Sequence, residues 1–303
     1  MTTNYKPISV NYHYTRQCNF SCGFCFHTQK SNYKLPIEDA IRGLHILKNS
    51  GTRKINFAGG EPFLFPSYLG ELIKQCKENI KIEKISIVTN GSLVKRDFFL
   101  KYGKYIDVFG VSCDSFIKET NIKIGRGKKG ENVKKLFEIR DLCREYGIKF
   151  KLNTVVCKYN KDENMVENIQ KLNPDRWKVF QVLMVRGENE DSSKLRDVTK
   201  FQISKEEFQQ FVERHKEIKC MIPESNDTMK SSYLILDEKM RFLDKGDGEE
   251  LCSESILDVG VENALKNIVY DEKEFKKRKG DYWIENDECR TCEFNGSNNL
   301  IDF

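Results

Sequence analysis

Short apolar runs alternate with longer amphipathic runs over roughly the first 186 residues, and this alternation constrains the fold more than any other feature. KINFA (54–58), KISIVTN (84–90) and DVFGVSCD (107–114) have the β-branched and aromatic content of buried strands, and each is followed by a segment with helical periodicity. Parallel strands need crossover connections, so six such pairs of strand and helix predict a parallel sheet. Right-handed crossovers would wind that sheet into a barrel or an open partial barrel, with the functional site at the carboxyl ends of the strands.

Beyond that stretch the alternation gives way to a charged loop, a predicted helix and a β-hairpin around YLILDEKMRFL (233–243). A chain of 303 residues is within the size of one α/β barrel domain. We therefore predict a partial (β/α)6 barrel over residues 1–186 and a C-terminal extension of the same α/β domain over residues 187–303. The extension is expected to close the barrel mouth, with a flexible tail after about residue 280.

Composition excludes several classes of protein. The 51 Lys and Arg are interspersed with 46 Asp and Glu, and a net charge of +5 is too small to indicate direct nucleic-acid binding. The start, MTTNYKPISVNYHY, lacks a secretory signal pattern and no run of about 18 apolar residues occurs, so we expect a cytoplasmic monomer without membrane attachment. Eleven cysteines in a reducing compartment do not indicate disulfides, so clustered ones are interpreted as metal ligands.

Three cysteines lie within eight positions of the loop that follows the first predicted strand. Cys18, Cys22 and Cys25 have the spacing C-x3-C-x2-C. A structural zinc site uses four protein ligands, so three closely spaced thiolates predict a metal centre with one open position. A [4Fe-4S] cluster held by three cysteines has one such iron. The alternatives are buried thiols without a metal, or a zinc site completed by His27 or by a distant cysteine.

Small and polar residues follow the next three predicted strands. Gly59 and Gly60 in AGGEP would let the backbone approach a ligand, and Glu61 could accept a hydrogen bond from an ammonium group. Asn90 in TNGS and Ser112 in SCDS offer amide and hydroxyl groups suited to a ribose or a carboxylate. Each motif alone is a common turn or cap, but their placement after successive strands favours one shared binding site.

Basic residues occupy strand positions that are normally apolar. Lys149, Lys151 and Asn153 fall on one face of KFKLNT, and Arg176 and Lys178 on one face of RWKVF, although strands inside a parallel barrel are usually apolar on both faces. Two further basic residues near strand ends are Lys54 and Arg126. Cations that converge on a barrel interior are costly to desolvate unless an anion neutralises them, so we predict a polyphosphate ligand. The alternative is that these residues begin strands and face water.

Several segments occur in a specific order, namely VNYHYTRQCNFSCGFCFHTQK, KINFAGGEPF, VSCDSF, IGRGKKG, LNPDRWKVFQ, PESN and SSYLILDEKMRFL. Together they resemble the viperin family of antiviral radical S-adenosylmethionine (SAM) nucleotide dehydratases and its microbial relatives, from about residue 8 to about residue 270. The resemblance implies a partial (β/α)6 barrel of the radical SAM type. It also implies a [4Fe-4S] cluster bound by the three cysteines, with SAM chelated to the open iron.

The family resemblance implies a reaction as well. An electron from a donor such as a flavodoxin or ferredoxin would cleave SAM, and the resulting 5'-deoxyadenosyl radical would abstract the C4' hydrogen of a ribonucleoside triphosphate. Loss of the 3'-hydroxyl as water, followed by the gain of a further electron and a proton, would give the 3'-deoxy-3',4'-didehydro nucleotide, a chain terminator for viral polymerases. CTP is the favoured substrate and UTP the next, although the sequence alone does not determine the base.

The same resemblance assigns residues to roles. Those assigned to SAM are Phe24, Gly59, Gly60, Glu61, Asn90, Ser112 and Arg126. Those assigned to the nucleotide are Lys54, Lys151, Asn153, Arg176 and Lys178. Tyr233, which we expect at the barrel mouth, is assigned as the group that supplies a proton to the nucleotide radical; the alternative is an ordinary core aromatic.

Three features depart from the family pattern. Ala58 precedes GGEP where a serine is expected in the animal enzymes, which predicts a difference in base choice or phosphate contacts. We also expect no counterpart of the family's amphipathic membrane-anchoring helix. Near the C-terminus, Cys289 and Cys292 form C-x2-C with Cys252 upstream, and we interpret these as incidental thiols. The other five cysteines are expected to be buried, namely Cys76, Cys113, Cys143, Cys157 and Cys220.

Two alternative functions remain at this stage. A second cluster on the C-terminal cysteines would resemble the radical SAM cyclase of molybdenum-cofactor biosynthesis, which also acts on a nucleoside triphosphate. The chain could instead be a non-catalytic iron–sulfur or nucleotide sensor that keeps the fold.

Overall fold

The structure is a computed structural model that describes residues 6–127, 129, 132–185, 187–190, 194–245, 251–281 and 283. Its strands are Ser9–His13 (β1), Lys54–Ala58 (β2), Lys84–Thr89 (β3), Val108–Ser112 (β4), Lys149–Val156 (β5), Arg176–Gln181 (β6), Met221–Glu224 (β7), Leu234–Leu236 (β8), Arg241–Leu243 (β9) and Cys252–Ser255 (β10). Within the described residues all ten belong to one sheet, in the order β10-β9-β8-β1-β2-β3-β4-β5-β6-β7.

The sheet is mostly parallel. Strands β1 to β7 each pair in parallel with the next, and β8 returns beside β1 in the same direction. The predicted hairpin is formed by β8 and β9, which are antiparallel, and β10 follows. In the described residues β7 and β10 are the two edges, so the sheet is open and the predicted partial barrel is confirmed. Strand β7 escaped prediction because it is short and contains Pro223, which an edge strand tolerates.

Eight of the described helices lie between successive strands, and the last two follow β10. The helices are Ile37–Asn49 (α1), Pro66–Glu78 (α2), Arg96–Tyr102 (α3), Lys118–Ile124 (α4), Asn132–Glu145 (α5), Val166–Leu172 (α6), Lys205–Arg214 (α7), Asn226–Lys230 (α8), Ile256–Leu265 (α9) and Glu272–Lys277 (α10). In α1 the residues Ala40, Leu44 and Leu47 are spaced by four and three, so they form one buried face. In the described part of the chain no helix is both long enough and apolar enough to span a bilayer.

Each central strand separates two environments. In β2, Ile55 and Phe57 pack into the main apolar core, whereas Lys54, Asn56 and Ala58 line an interior cavity. Strands β5 and β6 repeat this division with period two, as side chains alternate across a strand. Lys54, Lys151, Arg176 and Lys178 are buried, so for these four the alternative that they face water is wrong. It holds for Lys149, which begins β5, is partly exposed and lies 3.8 Å from Asp175.

The extension and the barrel share one sheet, because β8 pairs with β1. Glu188 reaches the loop after β1 at the carboxyl end of the sheet, where it pairs with Arg16. Trp283 instead lies over Lys54 and Arg176, which begin β2 and β6 at the opposite end. Residues after 186 therefore contribute to both ends of the interior rather than to the mouth alone.

Candidate active site

One cavity of about 440 Å³ runs through the interior of the open barrel. All but one of the residues that the sequence assigns to the site line it: Cys18, Cys22, Phe24, Cys25, Lys54, Gly59, Gly60, Asn90, Ser112, Arg126, Lys151, Asn153, Arg176, Lys178 and Tyr233. The exception is Glu61, which does not line the cavity. The cysteines lie at the carboxyl end of the sheet, and most of the basic residues lie near the amino ends of β2, β5 and β6.

The loop that carries the cysteines is held by backbone contacts on two sides. After β2, the Gly60 N–H donates to the Thr15 carbonyl at 2.7 Å, and the Glu61 N–H donates to the Gln17 carbonyl at 2.7 Å. A Cβ atom on Gly60 would lie only 2.0 Å from the Gln17 carbonyl oxygen. We predicted that these glycines let the backbone approach a ligand. In the structure the segment that approaches them closely is the cysteine loop itself.

The three thiols fit an iron–sulfur cluster better than a single metal ion. In the part of the chain that the structure describes, no group of three or more His, Cys, Asp or Glu side chains is arranged to hold one ion, so the zinc site completed by His27 is not formed there. All three cysteines are free and line the same cavity. A cluster spreads its thiolate ligands over several irons, which suits three thiols from one loop.

The thiols are protonated when no metal is present. Burial raises the pKa of Cys18 to about 11 and the pKa of Cys22 to about 12, and it also raises the pKa of Cys25. The nearby positive charge of Arg126 opposes this shift at all three thiols. Because a metal ligates the thiolate, cluster assembly here must release protons.

Glu61 holds two elements of the site together, and its predicted contact with SAM stays a prediction. Its fully buried carboxylate accepts hydrogen bonds from the Thr89 hydroxyl at 2.6 Å, the Asn90 N–H at 2.7 Å and the Phe63 N–H at 2.9 Å. These contacts leave it facing away from the cavity and fasten the end of β3 to the turn after β2. Asn90 does line the cavity, and its side-chain amide donates to Asn19 at 2.9 Å.

Arg126 is held beside the cysteine loop by a buried partner that the sequence did not single out. The fully buried Asp114 accepts a hydrogen bond from Arg126 and another from the Val155 N–H at 2.9 Å. The guanidinium carbon of Arg126 lies 5.9 Å from the centre of the Phe24 ring, which packs edge-on against Phe201. Phe24 therefore belongs to a small apolar cluster at the cavity wall.

Five cations converge near the other end of the cavity, and we call them the basic cluster. They are Lys54, Lys151, Arg176, Lys178 and Arg278, and each is between 6% and 8% exposed. Strand register places Lys151 opposite Arg176, and Asn153 opposite Lys178. Burial and the neighbouring cations lower the pKa of Lys151 to about 7 and the pKa of Lys54 well below its ordinary value. Such an arrangement is stabilised by an anion.

A single buried carboxylate partly neutralises the basic cluster. Glu224 in β7 accepts a hydrogen bond from the Lys178 ammonium and lies 3.8 Å from an Arg278 nitrogen. Burial alone would raise the pKa of Glu224, but Lys178 and Arg278 hold it below its usual value. Neither Glu224 nor Arg278 was predicted to belong to the site. Glu224 lies in the unpredicted strand, and Arg278 belongs to the charged run KKRKG, which looks like an exposed helix end.

Tyr233 contacts both members of that ion pair. Its phenol donates to Glu224 at 2.5 Å and accepts from the Lys178 ammonium at 2.9 Å, and the Arg278 guanidinium carbon lies 3.6 Å from the ring centre. Burial raises the pKa of Tyr233, so the phenol keeps its proton. Its expected position at the barrel mouth is wrong: β8 is parallel to β1 with Leu234 opposite Val10, so Tyr233 lies at the amino end.

The remaining cysteines follow two patterns. Those expected to be buried are buried: Cys76, Cys113, Cys143, Cys157 and Cys220. Cys252 lies in β10, partly exposed and away from the cavity wall. Cys289 and Cys292, on which the two-cluster alternative depends, lie outside the described residues.

Comparisons with known proteins agree with this geometry. The profile of the radical SAM superfamily matches residues 12–172. The chain is 54% identical over 279 residues to the S-adenosylmethionine-dependent nucleotide dehydratase RSAD2 of Danio rerio, covering 91% of this chain and 78% of that protein. The protein of the same name from Oncorhynchus mykiss is 52% identical over 279 residues, covering 91% of this chain and 80% of that protein.

Solved structures show the same fold at low sequence identity. Streptococcus suis SuiB bound to S-adenosylmethionine superposes with a TM-score of 0.64 at 18% identity, covering 89% of this chain and 67% of that chain. Native anSMEcpe with bound AdoMet gives a TM-score of 0.63 at 17% identity, covering 88% of this chain and 84% of that chain. The barrel described above is therefore a radical SAM fold.

Proposed function

Because the chain belongs to the family of S-adenosylmethionine-dependent nucleotide dehydratases within the radical SAM superfamily, we propose that it removes the 3'-hydroxyl of a bound ribonucleoside triphosphate as water. The product would be the 3'-deoxy-3',4'-didehydro nucleotide, with CTP the favoured substrate and UTP the next. The observation that carries the proposal is a single cavity with three thiols at one end and five buried cations at the other.

The carboxyl end of the cavity is suited to the cofactors. Cys18, Cys22 and Cys25 would hold a [4Fe-4S] cluster, and the polar groups of Asn90 and Ser112 lie on the same wall, where they could contact SAM. The cluster and SAM together supply the 5'-deoxyadenosyl radical that removes a hydrogen atom from the substrate. The protein's part is to exclude water from this end, where Phe24 and its apolar neighbours line the wall.

The basic cluster would hold the triphosphate at the opposite end and so fix which ribose carbon faces the cofactors. Five donors that are already buried lose little freedom when phosphate arrives, and charge-assisted hydrogen bonds to phosphate are the strong kind. Asn153 lies two residues after Lys151 on the same face of β5, with its side-chain oxygen buried and without a hydrogen-bond partner among the described residues. That oxygen is free to accept from a substrate hydroxyl.

Tyr233 would supply the proton that completes the product. Its phenol is neutral, buried and placed between Lys178 and Glu224, so a proton that it gives up could be replaced through the same hydrogen bonds. An electron donor such as a flavodoxin or ferredoxin completes the reaction. We place the protein in a reducing compartment, the cytoplasm, because its thiols and cluster require one.

The test is turnover by the anaerobically reconstituted protein with dithionite, SAM and each of CTP, UTP, GTP and ATP. We expect 5'-deoxyadenosine and a nucleotide lighter by one water, most rapidly from CTP. Cys22→Ala serves as the control, because losing one of three thiolates should abolish the cluster absorbance and SAM cleavage together. Nucleotide binding without any 5'-deoxyadenosine from the wild type would instead indicate a sensor.

A further inference from the structure

The cavity wall has a charge composition that bears on the form in which the triphosphate binds. None of the described residues that line the cavity is an aspartate or a glutamate. The ammonium groups of Lys54 and Lys151 form no hydrogen bond or ion pair with any described residue. Glu224 lies behind the wall and is already shared by Lys178 and Arg278. Lys54, Lys151 and one of the two basic residues that share Glu224 therefore lack a carboxylate partner among the described residues, even before Arg176 is counted.

Proteins normally bind Mg²⁺ through carboxylate side chains. In kinase and ATPase sites Mg²⁺ is bound by one or two carboxylates together with the substrate phosphates, and it keeps several waters. On the described wall of this cavity no carboxylate is available for that purpose. The ion would also lie among buried ammonium and guanidinium groups, whose repulsion is strong where water is excluded.

The charge of the ligand also argues against a magnesium ion in this site. A free nucleoside triphosphate carries about four negative charges near neutral pH, because its terminal phosphate ionises a second time near pH 6. Bound Mg²⁺ cancels about half of that charge and occupies phosphate oxygens that the cations would otherwise contact. A site with at least three basic side chains in excess of its carboxylates, which a bound polyanion would keep protonated, is matched to the free anion.

We propose that the basic cluster binds the nucleoside triphosphate as the free anion, without the magnesium ion that usually accompanies it, and that Mg²⁺ competes with the protein for the phosphates. The inference rests on the proposed function, since it concerns the substrate form of the same site. Lys54, Lys151, Lys178 and Arg278 take the place of the metal, as point charges and hydrogen-bond donors fixed by the strands and by the end of α10.

The experiment is calorimetric titration of the reconstituted protein with CTP under anaerobic conditions. One series uses buffer freed of divalent cations, and the other contains MgCl2 in excess over the nucleotide, with ionic strength matched by KCl. We expect the CTP Kd to rise at least about tenfold with Mg²⁺, equivalent to about 1.4 kcal/mol. Inorganic triphosphate should behave like CTP. Titration with SAM is the control and should be unaffected by Mg²⁺.

A charge variant sharpens the test. Asn153→Asp adds one carboxylate to the cavity wall with little change in shape. It should weaken binding of free CTP and bring the ratio of the two Kd values towards one, because Mg²⁺ gains a ligand. Asn263→Asp makes the same charge change at an exposed position of α9 and should leave both Kd values at the wild-type level.

The outcomes separate this inference from the proposed function. Equal or tighter CTP binding by the wild type in Mg²⁺ would overturn the inference and leave the dehydratase proposal standing. Failure to bind any of the four nucleotides in either buffer would overturn both. If Asn153→Asp does not fold, the CTP Kd values of the wild type in the two buffers still test whether Mg²⁺ weakens binding.

Discussion

Single residues in this site divide into those that face the cavity and those that hold them in place. Glu61 and Glu224 are both fully buried carboxylates, and neither lines the cavity. Glu61 binds the backbone at the end of β3, and Glu224 binds Lys178 and Tyr233. A carboxylate in a motif is easily predicted to contact a ligand. The sequence alone does not show whether its oxygens accept hydrogen bonds from the protein instead.

The role of Tyr233 can be tested by removing its hydroxyl. Tyr233→Phe should keep the cluster and the formation of 5'-deoxyadenosine, but it should lower the yield of dehydrated nucleotide per 5'-deoxyadenosine, because the proton source is lost. The control is Tyr68→Phe, which removes a phenol that donates to the Leu35 carbonyl at 3.0 Å outside the cavity. That change should cost roughly 1 kcal/mol of stability and leave the ratio unchanged. A wild-type ratio in Tyr233→Phe would return Tyr233 to a packing role.

Two lysines on β5 provide a matched pair for the phosphate site. Lys151→Met should weaken CTP binding by roughly 1.5–3 kcal/mol, because a charge-assisted contact is lost, and it should raise the unfolding temperature of the nucleotide-free protein, because a buried charge is removed. Lys149→Met changes a half-buried residue that lies 3.8 Å from Asp175, and it should alter neither quantity much. Calorimetry and thermal unfolding measure both effects. Equal CTP affinity in the two variants would place Lys151 outside the phosphate site.

At the scale of elements, the long and periodic segments were predictable and the short ones were not. Helices α1, α2, α5 and α7, and strands β1 to β6, follow from hydrophobic periodicity. Strand β7 and helix α10 are four and six residues long, and their local sequences carry no period that separates them from loop. They supply Glu224 and, just beyond the helix, Arg278, so the basic cluster was predicted without its counter-ion and its fifth cation.

The turn after β2 makes a prediction of its own. Gly59 has φ of +126°, and a Cβ there would lie 2.4 Å from the Thr15 carbonyl oxygen, so Gly59→Ala should displace the cysteine loop. Gly147→Ala is the control, because Gly147 also has positive φ, +67°, but a Cβ there would meet nothing within 4 Å. Each change should cost roughly 1–2 kcal/mol in backbone strain. Only Gly59→Ala should also lose cluster absorbance and iron after reconstitution; full iron in that variant would refute the coupling.

At the scale of the whole molecule, one sheet connects both ends of the cavity, and the polar inner face is what the sequence revealed most clearly. The period-two basic residues on β5 and β6 predicted a charged interior, because strands inside a parallel barrel are normally apolar on both faces. The placement of Tyr233 could not be predicted, since it depends on β8 returning parallel to β1. Pairing between strands that are distant in sequence leaves no mark on local periodicity.

The buried lysines make the stability of the nucleotide-free fold depend on pH. The pKa of Lys151 is about 7 in the folded protein and about 10.4 in an unfolded chain, so between these values the unfolded state binds the additional proton. Stability should therefore rise with pH above 7, by up to about 1.4 kcal/mol per pH unit for each such lysine, until thiols of the unfolded chain begin to ionise near pH 8.5.

Inorganic triphosphate should remove this dependence, because a bound polyanion restores the proton on Lys151, and a ligand at about 100 times its Kd adds about 2.7 kcal/mol of stability. The stabilisation that it provides should therefore be largest near pH 7 and fall towards pH 8.5, as protonating the lysine becomes costlier. Thermal unfolding at pH 7, 7.5 and 8, with and without triphosphate, measures how the stability and the stabilisation by triphosphate change with pH. Lys151→Met should reduce the pH dependence of the stability measured without triphosphate. A nucleotide-free stability that falls over this range would mean that the lysines are charged in the empty cavity, and that an anion other than the substrate already neutralises them.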